Sequence, residues 1–357
     1  MKHDFPVLGG KLGFGMMRLP MCAEQVDIDQ TTAMVDAFMA AGFRYFDTAA
    51  PYIDGLSEQA IRTCLAERYP REAFVLTDKL SAGCFEKEED ILPFFEGQLK
   101  ACGVEYFDFY LMHALSAARM EKYTNARAFE IAQELKAQGK IRHVGMSFHD
   151  SAQVLDEILT LHPEIEVVQL QLNYLDWEDS RVQSRACYEV CVKHGKPVIV
   201  MEPVRGGRLA NVPEQAKALM TAGSPASYAI RFAAGLENVM MVLSGMSDMA
   251  QMTDNLNTMT AFSPLSGEEM AVVEQTREMI HAQRRISCTD CRYCVEGCPA
   301  GINIPAVFAA YNEMNTAAYA AMEVKAGACV ECGACETACP QHLAIRELLK
   351  KVEQKLK

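Results

Sequence analysis

The sequence has 357 residues, of which 50% are hydrophobic and 23% are charged, so the chain can bury a sizeable core. Its formal net charge at pH 7 is -13 and no basic stripe interrupts that balance, which argues against a nucleic-acid partner, because phosphate backbones are bound by lysine and arginine. No segment has the length of a signal-peptide core or a membrane span, so we expect a cytoplasmic protein without a membrane partner.

Short apolar segments alternate with amphipathic segments of helical period from residue 11 to about residue 260. This alternation is typical of repeated βα units. Eight units can be counted, and their strands are predicted to begin at Leu12, Tyr45, Phe74, Phe107, His143, Val167, Pro197 and Val239. The sequence therefore predicts an α/β fold, a (β/α)8 TIM barrel, in which function gathers at the C-terminal ends of the strands.

Four polar side chains lie at or just after the ends of the second, third and fourth predicted strands. Asp47 ends the second strand, Tyr52 follows it by five residues, Lys79 ends the third and His113 ends the fourth. We expect Lys79 to lower the pKa of the Tyr52 phenol, Asp47 to hold Lys79, and His113 to bind the substrate oxygen. Each residue alone fits a structural role, but their shared position predicts a catalytic site with Tyr52 as proton donor.

A second domain is predicted after the barrel. Residues 261–285 form a plausible linker with a charged helix, and beyond them one cysteine pattern occurs twice. We therefore expect a barrel domain at residues 1–265. Residues 266–357 are expected to hold the linker helix and a small, mostly α-helical, ferredoxin-like domain.

Eight of the fourteen cysteines form two runs of bacterial ferredoxin type. Each run has the spacing Cys-x2-Cys-x2-Cys-x3-Cys-Pro, which suits two 4Fe-4S clusters in which the fourth cysteine of each run binds the other cluster. The expected ligand sets are Cys288, Cys291, Cys294 and Cys339 for one cluster, and Cys329, Cys332, Cys335 and Cys298 for the other. Two structural zinc sites are the alternative, although zinc motifs seldom show this pattern twice.

The segment Phe46-Asp47-Thr48-Ala49-Ala50-Pro51-Tyr52 resembles the aldo-keto reductase family, whose Asp, Tyr, Lys and His occur in this order. The whole chain is similar to a bacterial and archaeal branch that adds a ferredoxin module after the barrel. The resemblance implies that a nicotinamide cofactor lies across the barrel mouth and delivers hydride to a carbonyl carbon. It places the cofactor beside Gly15, Met16, Ser147, Gln169, Met201, Pro203, Gly206, Gly207, Gly245, Gln251 and Asn255.

The sequence departs from the family pattern at three points. His149 follows Ser147 and Phe148 where Ser-Asn is common, and Met201 replaces a tyrosine that stacks under the nicotinamide. Gly245 and Gln251 replace the lysine and arginine that bind the 2'-phosphate of NADPH. Without these charges, NADH is expected to bind at least as well as NADPH.

The leading hypothesis is an oxidoreductase acting on a small carbonyl or alcohol substrate. Because clusters pass single electrons whereas hydride carries two, a flavin would be a suitable intermediary, but no flavin motif is present. One alternative is an electron-transfer protein whose barrel binds a flavin or docks a redox partner protein. Another gives the clusters a structural role over the barrel mouth. The substrate pocket is expected to draw on Met120, Tyr123, Trp177 and Tyr174.

Overall fold

A closed barrel of eight parallel strands forms the larger part of the protein. The computed structural model describes residues 5–283 and 285–356. Each strand pairs with its neighbours in the chain, and the last pairs with the first. The strands are β1 (Leu12–Gly15), β2 (Tyr45–Asp47), β3 (Val75–Leu80), β4 (Phe107–Leu115), β5 (Ile141–Phe148), β6 (Val167–Gln171), β7 (Val198–Met201) and β8 (Val239–Gly245). The predicted TIM barrel is confirmed.

Helices surround the barrel and cover its strands. They are α1 (Ile28–Ala40), α2 (Leu56–Ile61), α3 (Glu88–Cys102), α4 (Ala117–Asn125), α5 (Ala128–Ala137), α6 (Ala152–Leu161), α7 (Ser184–Lys193), α8 (Glu214–Lys217), α9 (Pro225–Ala234) and α10 (Met249–Thr260). A short hairpin, Met21–Cys22 with Gln25–Val26, lies between β1 and α1. None of the helices in residues 5–283 and 285–356 is long and apolar enough to cross a bilayer.

The alternation of side chains along each strand decides what reaches the barrel mouth. Apolar side chains such as Tyr45, Leu111 and Ile199 fill the interior. Because side chains alternate with a period of two, the next inward position on each strand lies one layer higher, at the C-terminal end. These positions, one for each strand, are Gly15, Asp47, Lys79, His113, Ser147, Gln169, Met201 and Gly245.

The helix after the barrel, α11 (Gly267–Ala282), packs on the barrel. Its buried Val273 and Ile280 belong to the apolar core of the barrel, and Arg231 of α9 forms a bidentate ion pair with Glu269. The apolar core of the remaining chain starts at Ile286. Helix α11 therefore shares the apolar core of the barrel, and the domain boundary after residue 265 stays a prediction.

The remaining chain forms a small helical module with its own core. Its helices are α12 (Tyr293–Glu296), α13 (Ile304–Asn312), α14 (Thr316–Ala320), α15 (Ala334–Ala338) and α16 (Ile345–Leu356). Helix α16 buries Ile345, Leu349 and Val352, three or four residues apart, so one helical face meets the module core. The predicted small, mostly α-helical domain is confirmed.

Candidate active site at the barrel mouth

A buried ion pair forms the floor of the barrel mouth. Lys79 Nζ lies 2.7 Å from Asp47 Oδ1, and their side chains are 0% and 4% exposed. Lys79 Nζ also donates to the Thr48 carbonyl oxygen at 2.7 Å, and Gln169 Nε2 donates to Asp47 Oδ2 at 2.9 Å. The pair is therefore held from both sides, and neither charge is free to rotate into solvent.

Tyr52 lies directly above this pair. Its ring centroid is 4.8 Å from Lys79 Nζ and 6.0 Å from the centroid of the His113 ring, which it meets edge-on. The turn after Tyr52 has positive φ angles at Ile53 and Asp54, 51° and 53°. Such backbone conformations are uncommon outside glycine, so the packing around them must hold the turn in place. The structure thus brings the four predicted catalytic side chains together.

The pKa of Tyr52 moves in the opposite direction to the one we expected. Burial is the largest cause and raises it well above its usual value, and the nearby Asp47 carboxylate raises it further. Lys79 does not offset this, because its ammonium is bound to Asp47 and faces the ring of Tyr52. Tyr52 therefore keeps its proton at neutral pH, as a proton donor must.

His113 is held as a neutral imidazole. Its Nδ1 lies 2.6 Å from Ser81 Oγ, and burial, reinforced by the charge of Lys79, lowers its pKa well below the usual value. Tyr123 donates its hydroxyl proton to main-chain oxygens, with Leu80 O at 2.6 Å and His113 O at 2.9 Å. Neither Ser81 nor Tyr123 was expected in this positioning role, since only the three-dimensional packing brings them to His113.

A cavity of about 600 Å³ opens beside Tyr52. Nine of the eleven predicted cofactor positions line it: Gly15, Gln169, Met201, Pro203, Gly206, Gly207, Gly245, Gln251 and Asn255. Two do not. The Met16 side chain is fully buried in the apolar core, and Met17 lines the cavity instead. Ser147 Oγ accepts a hydrogen bond from the Ala114 N–H at 2.7 Å, so Ser147 fixes the chain after His113.

The expected substrate pocket is not formed by the four residues named for it. None of Met120, Tyr123, Trp177 and Tyr174 lines the cavity in the part of the chain that the structure describes. They pack in the apolar core, where Trp177 and Tyr174 meet the ring of Phe232 edge-on. Apolar spacing alone did not separate packing residues from recognition residues.

Arg18 and Glu202 are charged residues in the cavity that the sequence analysis missed. The aliphatic part of the Arg18 side chain packs against Gly245, where a Cβ would lie 3.3 Å from Arg18 Cβ. Glu202 has a positive φ of 58°, and its Oε2 is buried without a hydrogen-bond partner among the described residues. Burial raises the pKa of Glu202. Both lie after strand ends, a positional signal that was available in the sequence.

The C-terminal module contacts the mouth through a buried polar network. Gln341 and Gln171 exchange two hydrogen bonds of 2.8 and 3.0 Å between their amides. Arg205 joins the Gln341 amide oxygen to the Asp176 carboxylate, at 3.1 and 2.8 Å, with its side chain 2% exposed. The Arg205 guanidinium therefore holds the module against the barrel. Cys291, Tyr293 and Pro340 of the module also line the cavity.

Within the module, the eight cysteines border two small cavities. Cys288, Cys291, Cys294 and Cys339 line one of them. Cys298, Cys329, Cys332 and Cys335 line the other. Each set takes three cysteines from one run and the fourth from the other run. This is the grouping expected for crossed ligation, in which the fourth cysteine of each run binds the other cluster. Four thiols around one cavity fit the ligand chemistry of an iron-sulfur cubane.

Comparison with known proteins identifies both parts of the chain. Residues 11–278 match the aldo/keto reductase family, and residues 287–344 match the 4Fe-4S dicluster domain, which favours iron-sulfur clusters over zinc. An aldo-keto reductase of Mycobacterium avium (strain 104) is 27% identical over 268 residues, covering 74% of this chain and 84% of that protein. The NAD(P)H-dependent 6'-deoxychalcone synthase of Glycine max is 26% identical over 198 residues, covering 50% of this chain and 59% of that enzyme.

Solved structures share the barrel fold. The holo form of an aldo-keto reductase from Bacillus halodurans has a TM-score of 0.63 at 24% identity, covering 77% of this chain and 96% of that chain. An aldo-keto reductase from Klebsiella pneumoniae in complex with NADPH has a TM-score of 0.62 at 19% identity, covering 77% and 95%. From the match over its barrel, the chain belongs to the aldo/keto reductase family, and a 4Fe-4S dicluster domain follows that barrel.

Proposed function

We propose that the protein transfers hydride reversibly between a nicotinamide cofactor and a small carbonyl or alcohol substrate, with Tyr52 as general acid and base. The observation that carries this proposal is the position of Tyr52. It stands at the edge of the cavity, above the Lys79–Asp47 pair and beside a neutral His113. The site therefore offers a proton donor and a hydrogen-bonding group at one point.

The cavity suits a nicotinamide dinucleotide. Met201 offers a polarisable platform at the catalytic end, while Gly206 and Gly207, with φ of 62° and 89°, form a loop whose amides can approach phosphate oxygens. Bound there in its reduced form, the nicotinamide supplies a hydride. The Klebsiella relative was solved with NADPH, which supports a nicotinamide in this chain too.

Tyr52 and His113 act on the substrate oxygen. Tyr52 gives its proton to that oxygen as the neighbouring carbon is reduced, and the reverse reaction returns the proton to Tyr52. With Nδ1 bound to Ser81, His113 has Nε2 left for the substrate oxygen. Asp47 does not touch the substrate in this scheme, because its two oxygens bind Lys79 and Gln169. It is a positioning residue.

We further propose that two 4Fe-4S clusters fill the two cysteine-lined cavities with crossed ligation. One of these cavities includes Cys291, which also lines the barrel cavity. A cluster there holds the loop that borders the active site, so the clusters have a structural part in shaping the mouth. Reduction of the clusters by NADH tests whether they also pass electrons, to a flavin or to a redox partner protein.

Tyr52→Phe tests the catalytic assignment. We expect carbonyl reduction to fall by a factor of about 10² to 10⁴, the usual contribution of a general acid, while NADH binding stays within a factor of two or so. Tyr69→Phe is the control, because Tyr69 is half-buried, does not line the cavity and donates its hydroxyl proton to Asp36. Unchanged turnover in Tyr52→Phe would refute the assignment.

Cofactor analysis tests the role of the clusters. Protein prepared without oxygen should contain about eight irons and eight sulfides and no bound flavin. If NADH alone bleaches the cluster absorbance, electrons pass from the barrel site to the clusters. If the absorbance changes only with a chemical reductant, the structural role stands alone.

A further inference from the structure

Tyr293 brings a second phenol from the module to the catalytic centre. It lies between two proposed cluster ligands, Cys291 and Cys294, and begins α12. Its ring meets the His113 ring edge-on with centroids 6.4 Å apart, and Tyr52 meets the same His113 ring edge-on at 6.0 Å. Tyr293 lines the same cavity as Tyr52. A residue of the cluster loop thus lies in the same cavity, and beside the same histidine, as the residue to which we assign the proton transfer.

The docking of the module fixes Tyr293 in this place. Arg18 Nη2 donates to the Thr289 carbonyl oxygen at 2.8 Å, in the same loop as Tyr293. Gly206 approaches that carbonyl so closely that a Cβ would lie 2.4 Å from its oxygen, which only glycine tolerates. Together with the buried Gln341–Gln171 pair, these contacts hold the module against the barrel.

The groups around Tyr52 disfavour its ionised form, so a hydrogen-bond donor to its oxygen would assist the reaction. When Tyr52 gives up its proton, it becomes a buried anion beside other acidic groups. Burial and the Asp47, Asp78 and Glu202 carboxyl groups raise the pKa of Tyr52, and the hydrogen bond with Tyr293 lowers it. Lys79 faces the ring of the phenol, and His113, which is neutral, meets that ring edge-on.

We propose that Tyr293 is a positioning residue of the barrel reaction, whose hydroxyl donates a hydrogen bond to the Tyr52 oxygen and stabilises the phenolate formed during proton transfer. This inference rests on the function proposed above. In that step hydride passes from the reduced nicotinamide to the carbonyl carbon, and the Tyr52 proton passes to the carbonyl oxygen. Tyr293 keeps its own proton throughout.

The proposal gives the fused module a direct part in the chemistry. The barrel places Asp47, Tyr52, Lys79 and His113 by itself, whereas Tyr293, which lines the same cavity, comes from the cluster loop. The site is therefore complete only with the module docked and its loop ordered by the proposed cluster. The hydrogen bond from Tyr293 has its largest effect during the reaction, because the negative charge on the Tyr52 oxygen appears only then.

The test measures the ionisation of the phenol at position 52 in a way that does not need a substrate. Replacing Tyr52 with 3,5-difluorotyrosine gives a more acidic phenol whose ionisation is followed by ¹⁹F resonance in the intact, cluster-loaded protein. Adding Tyr293→Phe should raise the pH midpoint of this ionisation by about one to two units, because the phenolate then loses one hydrogen bond to its charged oxygen. An unchanged or lower midpoint would overturn the proposal.

Tyr311→Phe is the matched control. Tyr311 belongs to the same module, packs against its core and does not line the barrel cavity. It should leave the midpoint unchanged, and an equal shift in both variants would show a general effect of the module and overturn the specific role. Iron content is measured in each variant, because Phe keeps the ring packing against His113 and should retain the clusters.

A kinetic comparison in the natural Tyr52 background completes the test. Tyr293→Phe should lower kcat for alcohol oxidation by about 10- to 150-fold with KM nearly unchanged, since without the hydrogen bond a smaller fraction of Tyr52 is the phenolate that accepts the alcohol proton. A rise in KM with constant kcat would instead indicate substrate binding by Tyr293 and overturn the positioning role. If the unmodified protein oxidises no alcohol, the proposed function fails, and the ¹⁹F titration still decides the hydrogen bond.

Discussion

Lys79 and Asp47 form an ion pair of 2.7 Å that is almost completely removed from solvent. Taking both charges out of water is costly, so the attraction between them mainly offsets that cost. The consequence is asymmetric. The intact pair stabilises the fold little more than two apolar residues would. Losing one member, however, leaves the other charge uncompensated inside the barrel.

Asp47→Asn should therefore destabilise the barrel by about 3 to 5 kcal/mol, the usual effect of breaking a buried pair. The measurement is urea unfolding followed by far-UV circular dichroism under anaerobic conditions. Glu67→Gln is the control, because its ion pair with Arg62 is about half exposed on both sides and should cost about 1 kcal/mol or less. Equal effects of the two substitutions would contradict the structural role of Asp47.

The pH dependence should follow Tyr52 and not His113. Because burial lowers the pKa of His113, the imidazole is already neutral at pH 6, and lowering the pH to that value should not change reduction rates. Because the pKa of Tyr52 is raised, its proton remains available up to at least pH 9, so kcat for reduction should be flat from pH 6 to pH 9.

Oxidation should behave differently, since it needs the Tyr52 phenolate. Below the pKa of Tyr52 the phenolate fraction rises about tenfold for each pH unit, and kcat for alcohol oxidation should rise in the same way if proton transfer limits it. Steady-state kinetics in both directions measure this. An inflection near pH 6.5 that disappears in His113→Gln would show that His113 titrates in the working range and would contradict the prediction.

Crossed ligation predicts which cluster a single cysteine controls. Cys298 lies in the first run, but it borders the cavity lined by Cys329, Cys332 and Cys335. Cys298→Ala should therefore give the same spectrum in electron paramagnetic resonance, after reduction, as Cys332→Ala, with partial loss of iron in both. Cys22→Ala, an exposed cysteine outside both cavities, should change nothing. A match between Cys298→Ala and Cys291→Ala would show that each run binds its own cluster.

Gln251→Arg should move cofactor preference toward NADPH. The Gln251 side chain lines the cavity near the start of α10, where it bonds Ser247 and Asp248, and it carries no charge. A guanidinium there adds a charge-assisted hydrogen bond, so the Kd of NADPH relative to NADH should fall about tenfold or more.

Thr253→Arg is the control for that change, since it adds the same charge to α10 at an exposed position outside the cavity. Calorimetric titration of both nucleotides measures the preference. Clear preference of the unmodified protein for NADPH would refute the expectation of at least equal NADH binding, and would direct attention to Arg18, which packs against Gly245.

The sequence by itself determined the barrel and much of the mouth. Alternating βα segments report which residues are strands, and the period of two along each strand then brings Asp47, Lys79 and His113 inward at one end. The two cysteine runs likewise predicted a cluster-binding module. Three ligands of one cubane come from a single short loop, so their spacing is visible in the local sequence.

Only the tertiary structure decided which of these residues touch each other and which touch the module. Gln169 binds Asp47, and the Tyr293 ring meets the His113 ring, although long stretches of chain separate each pair. Such contacts depend on how two complete surfaces dock, which leaves no periodic signal in the sequence. The same reason explains the pKa of Tyr52: sequence placed a lysine near the phenol, but burial depends on the whole fold around it, and burial has the larger effect.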